Sequence, residues 1–155
     1  MESTPLSSDW TELLAAFNAA GVKYLVVGAH AYARYAAPRA TGDLDLWIER
    51  SPENARRTFE TLAAFGAPLD DLRLEDFEAA DVVYMFGRPP LRIDILTGID
   101  GVTFEEAWSS RVDGSLGGVP VAFIGRDAFL QNKRAAGRTK DLADAEAVER
   151  FKTKP

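Results

Sequence analysis

Two stretches of the chain alternate apolar and polar side chains over the length of a strand. One is Gly42-Asp43-Leu44-Asp45-Leu46-Trp47-Ile48 and the other is Leu91-Arg92-Ile93-Asp94-Ile95-Leu96. Successive strand side chains point to opposite faces, so Asp43 and Asp45 share a face, about 7 Å apart. Leu44, Leu46 and Ile48 take the other face, and Ile93 and Ile95 turn inward as Asp94 turns out. Around these two stretches the pattern predicts further elements. A first helix runs to about Ala20, capped by Ser8 or Asp9 with Glu12 closing a capping box, and stops at Gly21. Lys23 to Val27 is a short β-branched strand ended by Gly28. Ala29 to Ala37 is an alanine-rich helix broken before Pro38. Ser51-Pro52-Glu53 starts a helix that ends near Gly66. A short helix is expected at Leu74 to Ala79 within an acidic, irregular stretch. Val82 to Phe86 and Leu91 to Leu96 form a hairpin around Gly87-Arg88-Pro89-Pro90. Thr103 to Trp108 is a short helix and Val119 to Ile124 a strand. Arg126 to Ala136 and Thr139 to Phe151 are two closing helices parted at Gly137. Strand–helix alternation followed by strands and then helices indicates an α/β (α+β) fold, with a mixed sheet of about four to six strands flanked by helices.

The 155 residues suffice for one domain with its own core, and 46% hydrophobic with 27% charged residues is a globular composition. A single domain over 1–155 is expected, with residues 1–7 as a disordered tail. There is no cysteine, which excludes disulfide scaffolds and thiolate metal sites and suits a reducing, cytoplasmic location. No signal peptide and no membrane-spanning run of about 20 apolar residues is read. The net charge of −6 argues against coating nucleic acid through an overall basic field, although a local basic groove is compatible with it.

If the Asp43 and Asp94 strands are neighbours, three carboxylates converge. Clustered anions repel one another unless a cation sits among them, and a hard divalent ion, Mg²⁺ above all, suits all-oxygen ligands. Asp94 has a plainer option, an ion pair with Arg92 or Arg39. The turn at Gly28-Ala29 joins strand to helix, a geometry that aims backbone N–H groups at phosphate. Arg39-Ala40-Thr41-Gly42 brings a cation and a hydroxyl to the acidic strand. Arg126, Lys133, Arg134, Arg138 and Lys140 make a locally basic stretch, in which Lys140 and Asp144 have the spacing of an i,i+4 pair. Asp141, in the first turn of the last helix, fits a capping role. His30, the one histidine, is expected at a solvent-facing helix start, and Trp47 is expected to pack rather than to stack a base.

Gly28-Ala29, then Asp43-x-Asp45, then Asp94 on a later strand, resembles the DNA polymerase β-type nucleotidyltransferase superfamily. The flanking Val26-Val27-Gly28-Ala29-His30 and Pro38-Arg39-Ala40-Thr41-Gly42-Asp43-Leu44-Asp45 resemble its small bacterial members. These include the minimal nucleotidyltransferases and the AbiEii-type toxins of type IV toxin–antitoxin systems. Lys133, with Arg138-Thr139-Lys140-Asp141-Leu142-Ala143-Asp144, is similar to that group's C-terminal motif. The likeness spans about residues 10 to 150 and departs at Ala29, where the superfamily has glycine or serine and a hydroxyl is lost.

The resemblance implies a nucleotidyltransferase-like fold and a Mg²⁺-dependent transfer of a nucleoside monophosphate from a nucleoside triphosphate to a hydroxyl. Asp43, Asp45 and Asp94 would be the catalytic and metal-binding residues, and Gly28, Ala29, Arg39, Thr41, Lys133, Arg138 and Asp141 would bind the nucleotide. The implied acceptor is an RNA or tRNA 3′ end, a protein hydroxyl or a small molecule, and a cognate antitoxin is an implied partner. A nucleotide- or partner-binding module on the same fold, favoured by Ala29, and a metal-dependent hydrolase are the competing readings.

Overall fold

A computed structural model describes residues 8–39, 42–88 and 91–151. In chain order the elements are α1 (Ser8–Ala20), β1 (Tyr24–Val27), α2 (Ala29–Tyr35), β2 (Asp43–Ile48), α3 (Pro52–Phe65), a 3₁₀ turn (Leu74–Phe77), β3 (Val83–Phe86) and β4 (Arg92–Leu96). They are followed by α4 (Phe104–Ser109), β5 (Val112–Leu116), β6 (Val119–Phe123), α5 (Arg126–Ala136) and α6 (Thr139–Arg150). Among the described residues these strands make one six-stranded mixed sheet in the order β3-β4-β2-β1-β6-β5. No helix among them is long and apolar enough to cross a membrane.

Local chemistry explains most boundaries. Ser51 accepts the backbone N–H of Asn54 at 3.2 Å, and Gly66 closes α3 in the left-handed region at φ 96°. Thr103 and Glu106 cap α4 reciprocally. The expected start of α1 needs correction. Ser8 is already helical, so Asp9 and Glu12 lie in the helix instead of forming its cap. β5 escapes sequence reading because Asp113, Gly114 and Ser115 erase any apolar alternation. It is an edge strand, paired with β6 across Gly117 and Gly118, both at positive φ. The 1–7 segment and the Pro89-Pro90 half of the β3–β4 turn lie outside the described residues.

Central strands β2 and β4 run parallel and in register, Asp43 opposite Arg92, Leu44 opposite Ile93 and Asp45 opposite Asp94. β1 flanks β2 antiparallel, with Val27 opposite Asp45. One face of these strands therefore presents Leu44, Leu46, Ile48, Ile93, Ile95, Tyr24 and Val26, all essentially buried. It is covered by α1, whose Phe17 meets Tyr24 edge-on, and by α3 and the 3₁₀ turn, whose Phe59 and Phe77 pack together and reach Tyr84. The opposite face begins with the acids and continues to Trp47, which is buried and meets Phe104 of α4 edge-on. Trp47 is thus a packing residue, as its sequence context suggests.

At the far end of β1 and β2 from the acids, Asn54 joins the two strands. Its buried amide accepts from Lys23 N (2.7 Å) and donates to the carbonyls of Lys23 (3.0 Å) and Glu49 (2.8 Å). Asn54→Ala leaves those three backbone groups without this partner. It is expected to cost about 2–3 kcal/mol of unfolding free energy in urea titration, because buried polar groups lose their bonds. A loss below about 0.5 kcal/mol would show that water takes over the role.

Candidate active site

The register of β2 against β4 decides the geometry. Asp45 and Asp94 are lateral neighbours on one face, one step in from the strand ends, and their carboxyls are hydrogen-bonded to each other. Two carboxyls can share such a bond only when a proton lies between them. Burial first, then the bond to Asp94 and the charges of Asp94 and Asp43, push Asp45 up to about 7. Arg92 partly offsets that repulsion.

Asp43, at the edge of the cluster, is held by the guanidinium of Arg92 (Nη2 to Oδ2, 3.0 Å). The same guanidinium grips Asp94 with two bonds, Nε to Oδ1 at 3.0 Å and Nη2 to Oδ2 at 3.2 Å. Arg92 stands between the first and third acids as their bridge. Among the described residues, no three histidine or carboxylate groups are spaced to hold a metal ion. This differs from the arrangement expected from the sequence, and the reason is visible: Asp43 and Asp94 are spaced around a guanidinium. The sequence offers Arg92 solely as an alternative partner for Asp94, although its i,i+2 position on the strand already puts it on the acids' face.

Gly28 follows β1 with φ 71°, and a Cβ built on it would collide with Asp45 Oδ2. A side chain at this position is thus excluded twice, by backbone conformation and by the carboxylate. The turn Gly28-Ala29 rests directly on the acidic pair and leads into α2. His30 is half-buried instead of solvent-facing. Its ring meets Trp10 edge-on at 5.4 Å and bonds the Asp43 main chain, and burial lowers its pKa against the raising effect of that bond.

The remaining expected residues form other groups. Arg39 lies over the Tyr32 ring (3.6 Å) and pairs with Asp144 (Nη2 to Oδ1, 2.8 Å), tying the approach to β2 onto α6. Asp144 therefore faces Arg39 and not Lys140, the i,i+4 partner read from sequence. Asp141 is buried and bound by Arg138 Nε at 2.7 Å and Lys133 Nζ at 3.6 Å. The Arg138 bond, aided by the charge of Lys133 and opposed by burial, holds its carboxyl below the usual range. Asp141 thus organises Lys133 and Arg138 into one ion triplet joining α5 to α6, and it also accepts the backbone N–H of Arg138 at the start of its own helix, the capping role its place in the first turn suggests. Thr41 lies outside the described residues.

No family model and no curated protein matches this sequence. Among solved structures, the chain is similar to the crystal structure of an antigenic nucleotidyltransferase-like protein from Paracoccidioides brasiliensis. The TM-score is 0.53 at 16% identity, covering 96% of this chain and 78% of that one. The fold is nucleotidyltransferase-like. At that identity the likeness extends to architecture, and the chemistry of the site rests on this chain's own side chains.

Two measurements probe the cluster. The folded protein binds the Asp45 proton more tightly than the unfolded chain, so between about pH 4 and 7 the native state carries more protons and stability falls as pH rises. Asp45→Asn should flatten that slope and raise stability at pH 8 by on the order of 2 kcal/mol. An unchanged pH profile of Tm would contradict the shared proton. Gly28→Ala should cost about 2–4 kcal/mol through left-handed strain and overpacking, read by urea unfolding. Relief of part of that loss in the double variant with Asp45→Asn is not expected, because the amide keeps the volume of the carboxyl.

Proposed function

We propose that this chain is a metal-dependent nucleotidyltransferase that moves a nucleoside monophosphate from a nucleoside triphosphate to a hydroxyl acceptor. The observation that supports this best is the pairing of Asp45 with Asp94 across β2 and β4, beneath the Gly28 turn and beside Asp43. The donor set fits a hard divalent ion such as Mg²⁺. It is all oxygen, it is crowded enough to raise the pKa of Asp45 to about 7, and one guanidinium bridges two of its three acids. Asp43, Asp45 and Asp94 would hold the ion. A bound Mg²⁺ would supply charge neutralisation at the attacking and leaving oxygens of an in-line phosphoryl displacement.

The rest of the chemistry belongs to the chain. Gly28 brings backbone donors of the Gly28-Ala29 turn next to the acids with no Cβ in the way, which suits a triphosphate despite the missing hydroxyl at Ala29. Asp94, held in place by the β2–β4 register, is assigned to accept the proton of the attacking hydroxyl. Lys133 and Arg138, ordered by Asp141, and Arg39, ordered by Asp144, are the cations assigned to phosphate or acceptor, with Thr41 beside them in sequence. Holding these cations in ion pairs limits the entropy lost when they bind a ligand. The acidic net charge favours an acceptor recognised locally, an RNA or tRNA end, a protein hydroxyl or a small molecule, over one gathered by long-range attraction. Membership of a toxin–antitoxin pair, with an antitoxin as partner in a cytoplasmic setting, follows the motif resemblance. Its sign would be growth arrest on expression that Asp45→Asn abolishes.

The direct experiment supplies α-³²P-labelled nucleoside triphosphates with Mg²⁺ and candidate acceptors. Label should move to a macromolecule or small acceptor, and Asp45→Asn or Asp94→Asn should lower the rate by about 100-fold or more, as loss of a metal-ordering carboxylate does. Binding of nucleotide without turnover by the intact protein would support a sensing or partner-binding module instead. Release of free monophosphate would point to hydrolysis.

A further inference from the structure

Arg92 has no role in the reading above beyond fixing two carboxylates, yet it occupies the centre of the cluster. Its guanidinium sits on the Asp43 and Asp94 oxygens that the proposed function gives to a metal ion. A guanidinium and a divalent ion cannot both lie between the same oxygens, because each takes the lone pairs that face the middle. The two cations also meet the same electrostatic need, since each neutralises carboxylates that a fixed strand register forbids to separate. Asp94 is nearly enclosed, with 11% of its side chain exposed, whereas 34% of the Arg92 side chain is open to solvent. The anion is therefore fixed, and the arginine is the partner with room to leave on its flexible stem.

The geometry points to Arg92 as a resident counter-ion that holds the metal position in the ion-free protein and gives it up when a divalent ion enters. This rests on the metal-dependent reading of the site. Arg92 then has two states. In the first it bridges Asp43 and Asp94, neutralises them and keeps the strand ends from repelling. In the second the ion takes those oxygens and the guanidinium turns outward along the sheet face, where a planar, always-charged donor fork suits a phosphate oxygen of the incoming nucleotide. The arrangement makes ion binding competitive with an internal cation, so the apparent affinity is reduced by the fraction of protein in which the bridge is closed. It also discourages ion binding without nucleotide, since only the nucleotide offers the displaced guanidinium a new anion.

The test is Mn²⁺ binding, followed by electron paramagnetic resonance without nucleotide, in the full chain and in Arg92→Gln and Arg92→Lys. Removing the resident cation should tighten Mn²⁺ binding about tenfold in Arg92→Gln, as expected if the bridge is closed in nine molecules of ten. Arg92→Lys, which keeps a charge but loses the fork, should fall between. The same assay on wild-type protein with a non-hydrolysable triphosphate should show that nucleotide strengthens Mn²⁺ binding more in wild type than in Arg92→Gln. Should Arg92→Gln fold poorly, the wild-type Arg92 Nε–H resonance gives the answer alone. It should shift when Mg²⁺ saturates the protein, because it leaves Asp94. If wild type binds Mn²⁺ and Arg92→Gln binds it equally or more weakly, or if the Nε–H resonance stays in place at saturation, the displacement is overturned and the metal site stands. If no form binds Mn²⁺, the metal-dependent reading and the displacement fall together.

Discussion

The parallel pairing of β2 with β4 forces like charges together in the middle of a sheet. Asp45 and Asp94 lie opposite each other by register, and Asp43 and Arg92 lie one step outward. Both strands are interior, flanked by β1 and β3, so neither can slide without breaking ladders on both sides and turning its apolar face outward. The repulsion cannot be relieved by moving the backbone. It must be met by a cation or a proton: the guanidinium of Arg92 spans Asp43 and Asp94, and burial with the bond to Asp94 raises the pKa of Asp45, which favours its protonated form.

The cost of that crowding is met on the reverse of the same strands. Leu44, Leu46, Ile48, Ile93 and Ile95 alternate with the acids and are buried against α1, α3 and the 3₁₀ turn. Alternation gives each strand one apolar face and one that carries the acids. Trp47 marks where the acidic face ends, since two residues beyond Asp45 the same face is buried and packed on Phe104. At the other end of β1, Asn54 fixes β1 to β2 through main-chain bonds. The ion pairs Arg39–Asp144 and Lys133–Asp141–Arg138 belong to a second layer, holding α6 to α5 and to the approach of β2.

Much of this is legible in the sequence because it depends on short-range pattern. The alternations at 43–48 and 91–96 announce both strands and their inward faces, and Ser51-Pro52 and Gly66 announce α3. The neighbouring of the two strands is legible as a condition, and the parallel β2–β4 ladder meets it for Asp45 and Asp94, whereas Asp43 and Asp94 are spaced around Arg92. The illegible parts are those that depend on partners far away in the chain. β5 has no apolar period, because its place at the sheet edge demands none. Asp141 and Asp144 have the spacing of helix-surface acids, yet they are buried, since their partners come from the preceding segment, from α5 and from the approach to β2. His30 reads as exposed because nothing local announces Trp10. Arg92 is in plain sight on the acids' face, but its bridging of Asp43 and Asp94 needs the register to be known.

Everything chemical here turns on whether the oxygens of Asp43, Asp45 and Asp94 form one cation site. Anomalous diffraction at the manganese edge, from crystals grown with Mn²⁺ and a non-hydrolysable nucleoside triphosphate, addresses it directly. The expected result is a manganese peak in contact with Asp45 and Asp94, the triphosphate beside the Gly28 turn and the Arg92 guanidinium turned away from Asp94. A manganese peak elsewhere on the molecule, with Arg92 still bridging Asp43 and Asp94 beneath a bound nucleotide, would contradict it.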